Sequence, residues 1–114
     1  MSENVTKVVL SDKEKGIKKI SERLEMSEDS VKEIYGTYIL SPALVTVGKR
    51  MKEMREQKGF SLDKMAKELP CSVEFLELIE DGLIPPTSHI TIAFTNYFNV
   101  LWNSVFKEVK KFIA

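Results

Sequence analysis

The sequence predicts an all-α protein, a bundle of about five helices with a helical hairpin at its N-terminus. Two observations predict this class. Apolar residues recur at spacings of three and four along most of the chain, as in Ile17, Ile20 and Leu24, which is the pattern of amphipathic helices. Serine repeatedly stands just before such a stretch, where its hydroxyl can cap a helix. No segment shows the alternation that is typical of a strand.

The hairpin is predicted within residues 1–45. Ser11 and Glu14 have the spacing of a capping box at the start of the first helix, and Ser27 caps the second. The second helix has a predicted apolar face of Val31, Ile34, Tyr35 and Tyr38. Residues 17–35 also have the apolar spacing and the capped second helix of half a helix-turn-helix, which is the alternative to a plain hairpin.

The remaining helices are predicted within a central domain, residues 46–100, and a C-terminal helix, residues 101–114. Pro42 suits the first position of the third helix, and Gly59 suits a left-handed stop after it. Ser61 and Ser72 cap the next two helices. The predicted helices run from 42 to about 58, from the cap at 61 to 69, from the cap at 72 to 81, from about 88 to a break at Asn99, and from about 101 onward.

Composition excludes several classes of function. The chain is 43% hydrophobic and 30% charged with zero formal net charge, which indicates a globular protein without an overall attraction to nucleic acid. Cys71 is the single cysteine, so no internal disulfide is expected. We find no signal peptide and no apolar run that approaches the roughly 18 residues of a membrane span, so a cytoplasmic protein is expected. His89 has no metal-ligand partner, and no phosphate-binding loop or nucleophile motif is present, so no metal, cofactor or enzymatic activity is expected.

Charge is unevenly distributed along the central domain. Residues 46–69 carry seven basic and four acidic side chains, a net charge of +3. Residues 70–100 carry no basic and four acidic side chains, a net charge of −4. A basic helix pair is therefore followed by an acidic helix.

Residues 48–82 contain an ordered set of landmarks. They are Arg55, a helix stop at Gly59, a cap at Ser61, a small residue at Ala66, an inward-facing pair at Leu76 and Ile79, and Glu80 just before Asp81 and Gly82. In this order the segment resembles the lambda-repressor-like helix-turn-helix domains of the XRE family of transcriptional regulators, over about residues 46–101. The resemblance implies a pairing of Arg55 with Glu80.

The resemblance also implies a DNA-binding transcriptional regulator that acts as a homodimer. Phosphate contacts would come from the basic residues Lys49, Arg50, Lys52, Lys64 and Lys67. The start of the predicted helix at 61–69 would contribute Ser61 and Leu62. The next predicted helix, 72–81, corresponds to the recognition helix of the family, and it would contribute Ser72, Val73, Glu74, Phe75, Glu77 and Leu78.

The recognition helix departs from the family in its chemistry, which raises an alternative function. It carries no basic residue, and carboxylates repel phosphates. Neither Phe75 nor Leu78 belongs to the predicted core pair, so they are expected to lie outside the core. An exposed apolar patch is predicted at Leu62, Val73, Phe75, Leu78, Leu83 and Ile84. Such a patch indicates a protein-binding module, unless the N-terminal hairpin or a second subunit covers it.

The C-terminal helix is too apolar to be a solvated tail. Its apolar residues are Leu101, Trp102, Val105, Phe106, Val109, Phe112 and Ile113. This stripe either packs on the core or pairs with a second copy, and the second possibility predicts a homodimer.

Overall fold

The computed structural model describes residues 11–98, which form six α-helices and no strand. The helices are α1 (Asp12–Leu24), α2 (Glu28–Tyr35), α3 (Pro42–Gln57), α4 (Leu62–Glu68), α5 (Val73–Glu80) and α6 (Ser88–Phe98). The predicted all-α class is confirmed for this part of the chain. The predicted break at Asn99 and the predicted C-terminal helix lie outside the described residues. No helix within 11–98 is long and apolar enough to cross a membrane.

Serine N-caps begin five of the six described helices. In each, the hydroxyl accepts a hydrogen bond from the backbone N–H three residues later, which satisfies a donor that the helix itself leaves unpaired. The capping serines are Ser11, Ser27, Ser41, Ser61 and Ser72. At Ser11 the capping box is complete, because the Glu14 carboxylate accepts the N–H of Ser11 at 2.8 Å. The predicted caps are therefore confirmed.

Two glycines in the left-handed region follow α3 and α5. Gly59 has a φ of +79° just beyond the end of α3, as predicted, and Gly82 has a φ of +77° after α5. Gly82 also packs closely, since a Cβ there would lie 3.0 Å from the Cα of Val45. Its carbonyl accepts a hydrogen bond of 2.9 Å from the N–H of Leu40. This bond ties the connection between α2 and α3 to the end of α5.

One apolar cluster joins all six described helices. Its fully or nearly fully buried members include Ile17, Ile20, Val31, Val47, Met51, Met65, Ala66, Leu76, Leu78, Ile79, Ile90 and Phe94. The N-terminal hairpin, α1 and α2, therefore shares its core with the rest of the molecule. Burial of these apolar side chains is the main favourable contribution to folding.

The apolar face predicted for α2 is confirmed only in part. Val31 is completely buried and Tyr35 packs against the cluster. Ile34 is 51% exposed, and Tyr38, which lies beyond the end of α2, is 47% exposed. The helix stops at Tyr35, so the helical periodicity that placed Tyr38 on its face does not extend that far.

Helix α5 lies in the middle of the bundle and contacts α3, α4 and α1. Its closest approach to α3 is at Gly48, where a Cβ would lie 2.3 Å from the backbone oxygen of Ile79. Only a residue without a side chain allows the two backbones to come so near. Leu76 and Ile79 face one side of α5, and residues 77, 78 and 81 face the opposite side.

Candidate interaction site on α4 and α5

A buried ion pair holds α5 against α3. The Arg55 guanidinium donates from Nε to Glu80 Oε2 at 2.8 Å and from Nη2 to Glu80 Oε1 at 3.1 Å, a bidentate geometry. The two side chains are only 9% and 5% exposed. Arg55 Nη1 also donates to the backbone oxygen of Phe60 at 2.7 Å. The predicted pairing of Arg55 with Glu80 is confirmed.

A second group of ion pairs joins the opposite side of α5 to α1. Lys19 Nζ lies 3.3 Å from Glu77 Oε2 and 2.5 Å from Asp81 Oδ2. Arg23 Nη1 donates to Glu77 Oε1. Because Lys19 and Arg23 are one turn apart on α1, both can reach the row of carboxylates on α5. Three of the four carboxylates of residues 70–100 thus meet cations from α1 or α3 inside the fold.

The ion pairs with α1 shift the ionisation of their members. Partial burial raises the pKa of the Glu77 carboxyl, but the hydrogen bonds from Arg23 and Lys19 outweigh this and hold the pKa below its ordinary value. The hydrogen bond to Asp81 raises the pKa of the Lys19 amine. Glu77 and Lys19 are therefore both charged at neutral pH.

The side of α5 that carries Glu77 and Asp81 is covered by α1. Leu78 lies on this side and has no exposed surface. Ile17 and Ile20 of α1 belong to the same apolar cluster as Leu78. The loop after α5 is covered as well, since Leu83 is 5% exposed and a Cβ at Gly16 of α1 would lie 2.8 Å from its Cδ2.

The prediction of one exposed apolar patch is therefore wrong for Leu78, Leu83 and Ile84, which are 0%, 5% and 1% exposed. The expectation that Leu78 lies outside the core is wrong for the same reason. The physical cause is that α5 packs on two sides, whereas helical periodicity alone assigns one buried side to Leu76 and Ile79. Of the alternatives left open by the sequence, the structure supports covering by the N-terminal hairpin.

The other three patch residues remain partly accessible at the N-terminal ends of α4 and α5. Leu62, Val73 and Phe75 are half-buried and rest against the core cluster. Glu74 is exposed on the first turn of α5 and makes no ion pair with a described residue. We call these four residues the α4–α5 end surface.

The polar residues predicted for DNA contacts at these helix ends have capping roles. Ser61 accepts the N–H of Lys64 at 3.1 Å, and Ser72 accepts the N–H of Phe75 at 3.1 Å. Cys71 precedes the second of these caps and is half-buried, and burial raises the pKa of its thiol. The thiol is therefore protonated at neutral pH and offers no anionic group at this end.

The basic residues predicted to contact phosphates differ in their partners. Lys64 Nζ lies 3.0 Å from Glu68 Oε2, and Arg50 Nη1 lies 3.5 Å from Glu53 Oε1. Lys49, Lys52 and Lys67 are exposed and make no ion pair with a residue in the described range. Of the predicted phosphate contacts, these three lysines are therefore the ones without an ion pair to a described residue.

Lys19 and Arg23 are the residues at this site that sequence reasoning missed. Their signal was present, because two cations spaced four apart on α1 match two carboxylates spaced four apart, Glu77 on α5 and Asp81 just beyond its end. The pairs are separated by 62 and 54 residues along the chain, so spacing alone cannot assign them. Within residues 11–98 no cluster of histidine, cysteine and carboxylate side chains could hold a metal ion.

Comparisons of this chain with protein-family models, with curated proteins and with solved structures found no match.

Proposed function

We propose that this protein is an interaction module that contacts another protein through the α4–α5 end surface, and that α5 does not read DNA sequence. The observation that carries the proposal is the position of α1. Glu77, which the helix-turn-helix resemblance would place against base edges, is paired with Lys19 and Arg23 of α1, and its neighbour Leu78 is completely buried. The C-terminal half of α5 is therefore occupied by part of the same chain, whereas its first turn, from Val73 to Phe75, stays partly accessible.

The dimensions of B-DNA also argue against entry of α5 and α1 together into a groove. The major groove of B-DNA is about 12 Å wide, and a single helix with its side chains is about 10–12 Å across. Packed helices lie about 8–10 Å apart, so α5 together with α1 is about 20 Å across. The half of α5 that packs against α1 is therefore too wide to enter the groove that one recognition helix fills.

The accessible chemistry of the α4–α5 end surface favours a protein partner. Leu62, Val73 and Phe75 offer apolar contacts, and none of the three has a side-chain hydrogen-bond donor for a base edge. Glu74 adds one exposed carboxylate. The surface therefore fits a partner that presents apolar side chains beside a lysine or arginine.

Val73→Asp tests this surface, and circular dichroism verifies that the variant is folded. Val73 is the first residue of α5, where an acidic side chain interacts favourably with the helix dipole, so the helix should persist. The matched control is Ile34→Asp on the exposed part of α2. Partners are recovered from cells by cross-linking, purified, and titrated against all three proteins by calorimetry. We expect Val73→Asp to weaken binding at least about tenfold and Ile34→Asp to leave it unchanged.

A DNA selection assay tests whether the protein binds a specific DNA sequence, which is the outcome that the proposal excludes. The full chain is incubated at low salt with a pool of randomised duplexes, and bound duplexes are sequenced. Enrichment of one sequence, with binding that survives physiological salt, would contradict the proposal. Equal loss of partner binding in Val73→Asp and Ile34→Asp would also contradict it, because the contact would then not map to the α4–α5 end surface.

The second candidate is a DNA-binding regulator that relies on phosphate contacts. It is favoured by the exposed cations Lys49, Lys52 and Lys67, and by the pairing of most α5 carboxylates inside the fold. That pairing reduces the repulsion that the sequence alone predicts for an acidic recognition helix. Binding of this kind would be steeply dependent on salt and would discriminate poorly between sequences.

A triple variant, Lys49→Gln with Lys52→Gln and Lys67→Gln, tests the second candidate. If all three lysines contact phosphates, the slope of log affinity against log salt should fall by about 2.7, since each neutralised phosphate contributes about 0.9. Mobility shifts of a 30-base-pair duplex over a salt series measure the slope. An unchanged slope, or no shift of the parent protein at the lowest salt, would contradict this candidate.

A further inference from the structure

Aromatic rings from two parts of the chain meet where the turn between α3 and α4 contacts the end of α6. Tyr97 lies edge-to-face against Phe60 and Phe98, with ring centroids 5.7 Å and 5.4 Å apart, which is a favoured arrangement of aromatic pairs. All three residues rest against the core cluster and remain partly accessible. Phe60 is also fixed through its backbone oxygen, which accepts the hydrogen bond from Arg55. These rings therefore have defined positions at the surface.

Two exposed lysines stand over these rings. Lys58 Nζ lies 6.0 Å from the centroid of the Tyr97 ring, and Lys64 Nζ lies 5.3 Å from that of the Phe60 ring, both within the range of cation–π contacts. Lys58 forms no ion pair with a residue of the described range. Lys64 has Glu68 Oε2 at 3.0 Å, an exposed pair of the weak kind. We call Lys58, Phe60, Lys64 and Tyr97 the lysine–aromatic surface.

A hollow beside Lys58 offers space for a further ring. Its volume is about 180 Å³, and it is lined by Met54, Gln57, Lys58 and Phe98. A cavity of about 150 Å³ is sufficient to hold benzene. The exposed amide of Gln57 has both a donor and an acceptor for the polar substituents of a ring. The hollow therefore fits one planar group that carries polar atoms.

We propose that the lysine–aromatic surface binds single-stranded nucleic acid. Sites that bind such strands combine aromatic side chains, on which unpaired bases stack, with cations that pair with the phosphates. Phe60 and Tyr97 are adjacent rings with one ammonium group over each, which matches the repetition of base and phosphate along a strand. Unpaired bases are free to stack on protein rings, whereas the bases of a duplex stack on one another.

The local charge supports an anionic occupant, although the whole chain has no net charge. At physiological salt, charges more than about 8 Å apart are largely screened, so the groups close to the site decide. The segment 46–69 that contains both lysines has a net charge of +3. Helix α6 carries no aspartate or glutamate, so its side of the surface adds no repulsion. A phosphate chain therefore fits here, whereas the α4–α5 end surface fits an apolar and cationic partner.

Two partly accessible tyrosines allow a matched test of stacking on the full chain. The protein is titrated at low salt against labelled oligothymidine and oligouridine strands of about 12 nucleotides and against a duplex of the same length, with fluorescence anisotropy as the readout. Tyr97→Leu removes a ring of the lysine–aromatic surface, and Tyr38→Leu removes one that is 47% exposed outside it. We expect both strands to bind more tightly than the duplex. Tyr97→Leu should weaken strand binding at least about fivefold and Tyr38→Leu should leave it unchanged, since each stacked base contributes about that factor or more.

A pair of lysine substitutions tests the phosphate contacts separately. Lys58→Gln with Lys64→Gln changes exposed side chains, so it remains informative if circular dichroism shows that Tyr97→Leu is unfolded. The matched control is Lys13→Gln with Lys15→Gln at exposed positions of α1. The slope of log affinity against log salt should fall by about 1.4 in the first variant, because each phosphate of a single strand contributes about 0.7. The control should keep the parent slope.

Several results would overturn the proposal. They are a parent protein that binds neither strand at the lowest salt, duplex binding as tight as strand binding, and a folded Tyr97→Leu variant that binds strands as tightly as the parent or as Tyr38→Leu. An unchanged salt slope in the Lys58 and Lys64 variant is another. Displacement of the strand by polyglutamate as effectively as by unlabelled strand would show that an acidic polypeptide is an equal occupant. The test does not depend on the function proposed for the α4–α5 end surface, which shares no residue with this one.

Discussion

Truncation of Leu78 to alanine measures whether this residue of α5 is enclosed in the core. Leu78 has no exposed surface, and its neighbour Glu77 pairs with α1. Removal of a fully buried leucine side chain costs about 2–5 kcal/mol, the sum of lost apolar burial and the cavity left behind. If this side of α5 faced solvent instead, the change would be within about 0.5 kcal/mol, because surface substitutions are nearly neutral and alanine favours a helix at least as well as leucine.

Urea unfolding followed by circular dichroism separates these two values. With an m-value of about 1–3 kcal/mol/M, the expected loss lowers the midpoint by an amount on the order of 1 M. Glu74→Ala is the matched control, because Glu74 is exposed on the same helix. It should change stability by no more than about 0.5 kcal/mol. A Leu78→Ala protein as stable as the Glu74→Ala protein would refute the enclosure of α5.

Three further substitutions test other contacts of α5. Glu80→Ala leaves the buried Arg55 without its carboxylate and should lower the free energy of unfolding in urea by about 3 kcal/mol. Addition of Arg55→Met should restore most of that stability, and a double variant that stays destabilised would contradict a buried charge as the cause. Gly48→Ala puts a Cβ 2.3 Å from a backbone oxygen of α5 and should cost about 1–3 kcal/mol, so an unchanged melting temperature would count against this close packing. Because the pKa of Glu77 is lowered in the fold, its contribution is complete above the ordinary carboxyl pKa and is lost as the pH falls through the lowered value. The stability difference between the parent and Glu77→Gln should therefore shrink in acid, and a difference that stays constant to pH 2 would contradict the ion pairs with α1.

Local signals in the sequence were sufficient for most of the fold. The serine caps and Gly59 were predicted because their effect depends on residues within one helical turn. The pairing of Arg55 with Glu80 was predicted from the resemblance of the central domain, since a family pattern carries information about contacts distant in sequence. A contact was therefore predicted where its two residues lie close together in the chain, or where the family resemblance indicates the pair.

The position of the N-terminal hairpin could not be predicted in either way. Helical periodicity indicates that α1 has an apolar side, but it does not indicate which surface that side meets. Leu78, Leu83 and Ile84 were expected at the surface because the resemblance places them there. Their apolar character was itself the signal that something covers them, and only the fold identifies α1 as the covering element.

The strength of the contact between α1 and α5 lies in its apolar residues rather than in its ion pairs. Lys19 and Arg23 are 33% and 39% exposed, and pairs of this kind contribute about 0.2–1 kcal/mol each. Lifting α1 would also expose Ile17, Ile20 and Leu83, at about 1.5–3 kcal/mol per side chain. The resulting total of about 4.5–9 kcal/mol is comparable to the whole stability of a typical domain, about 5–15 kcal/mol. Helix α1 is therefore part of the fold and not a lid, so any nucleic acid that binds must do so with α1 in place.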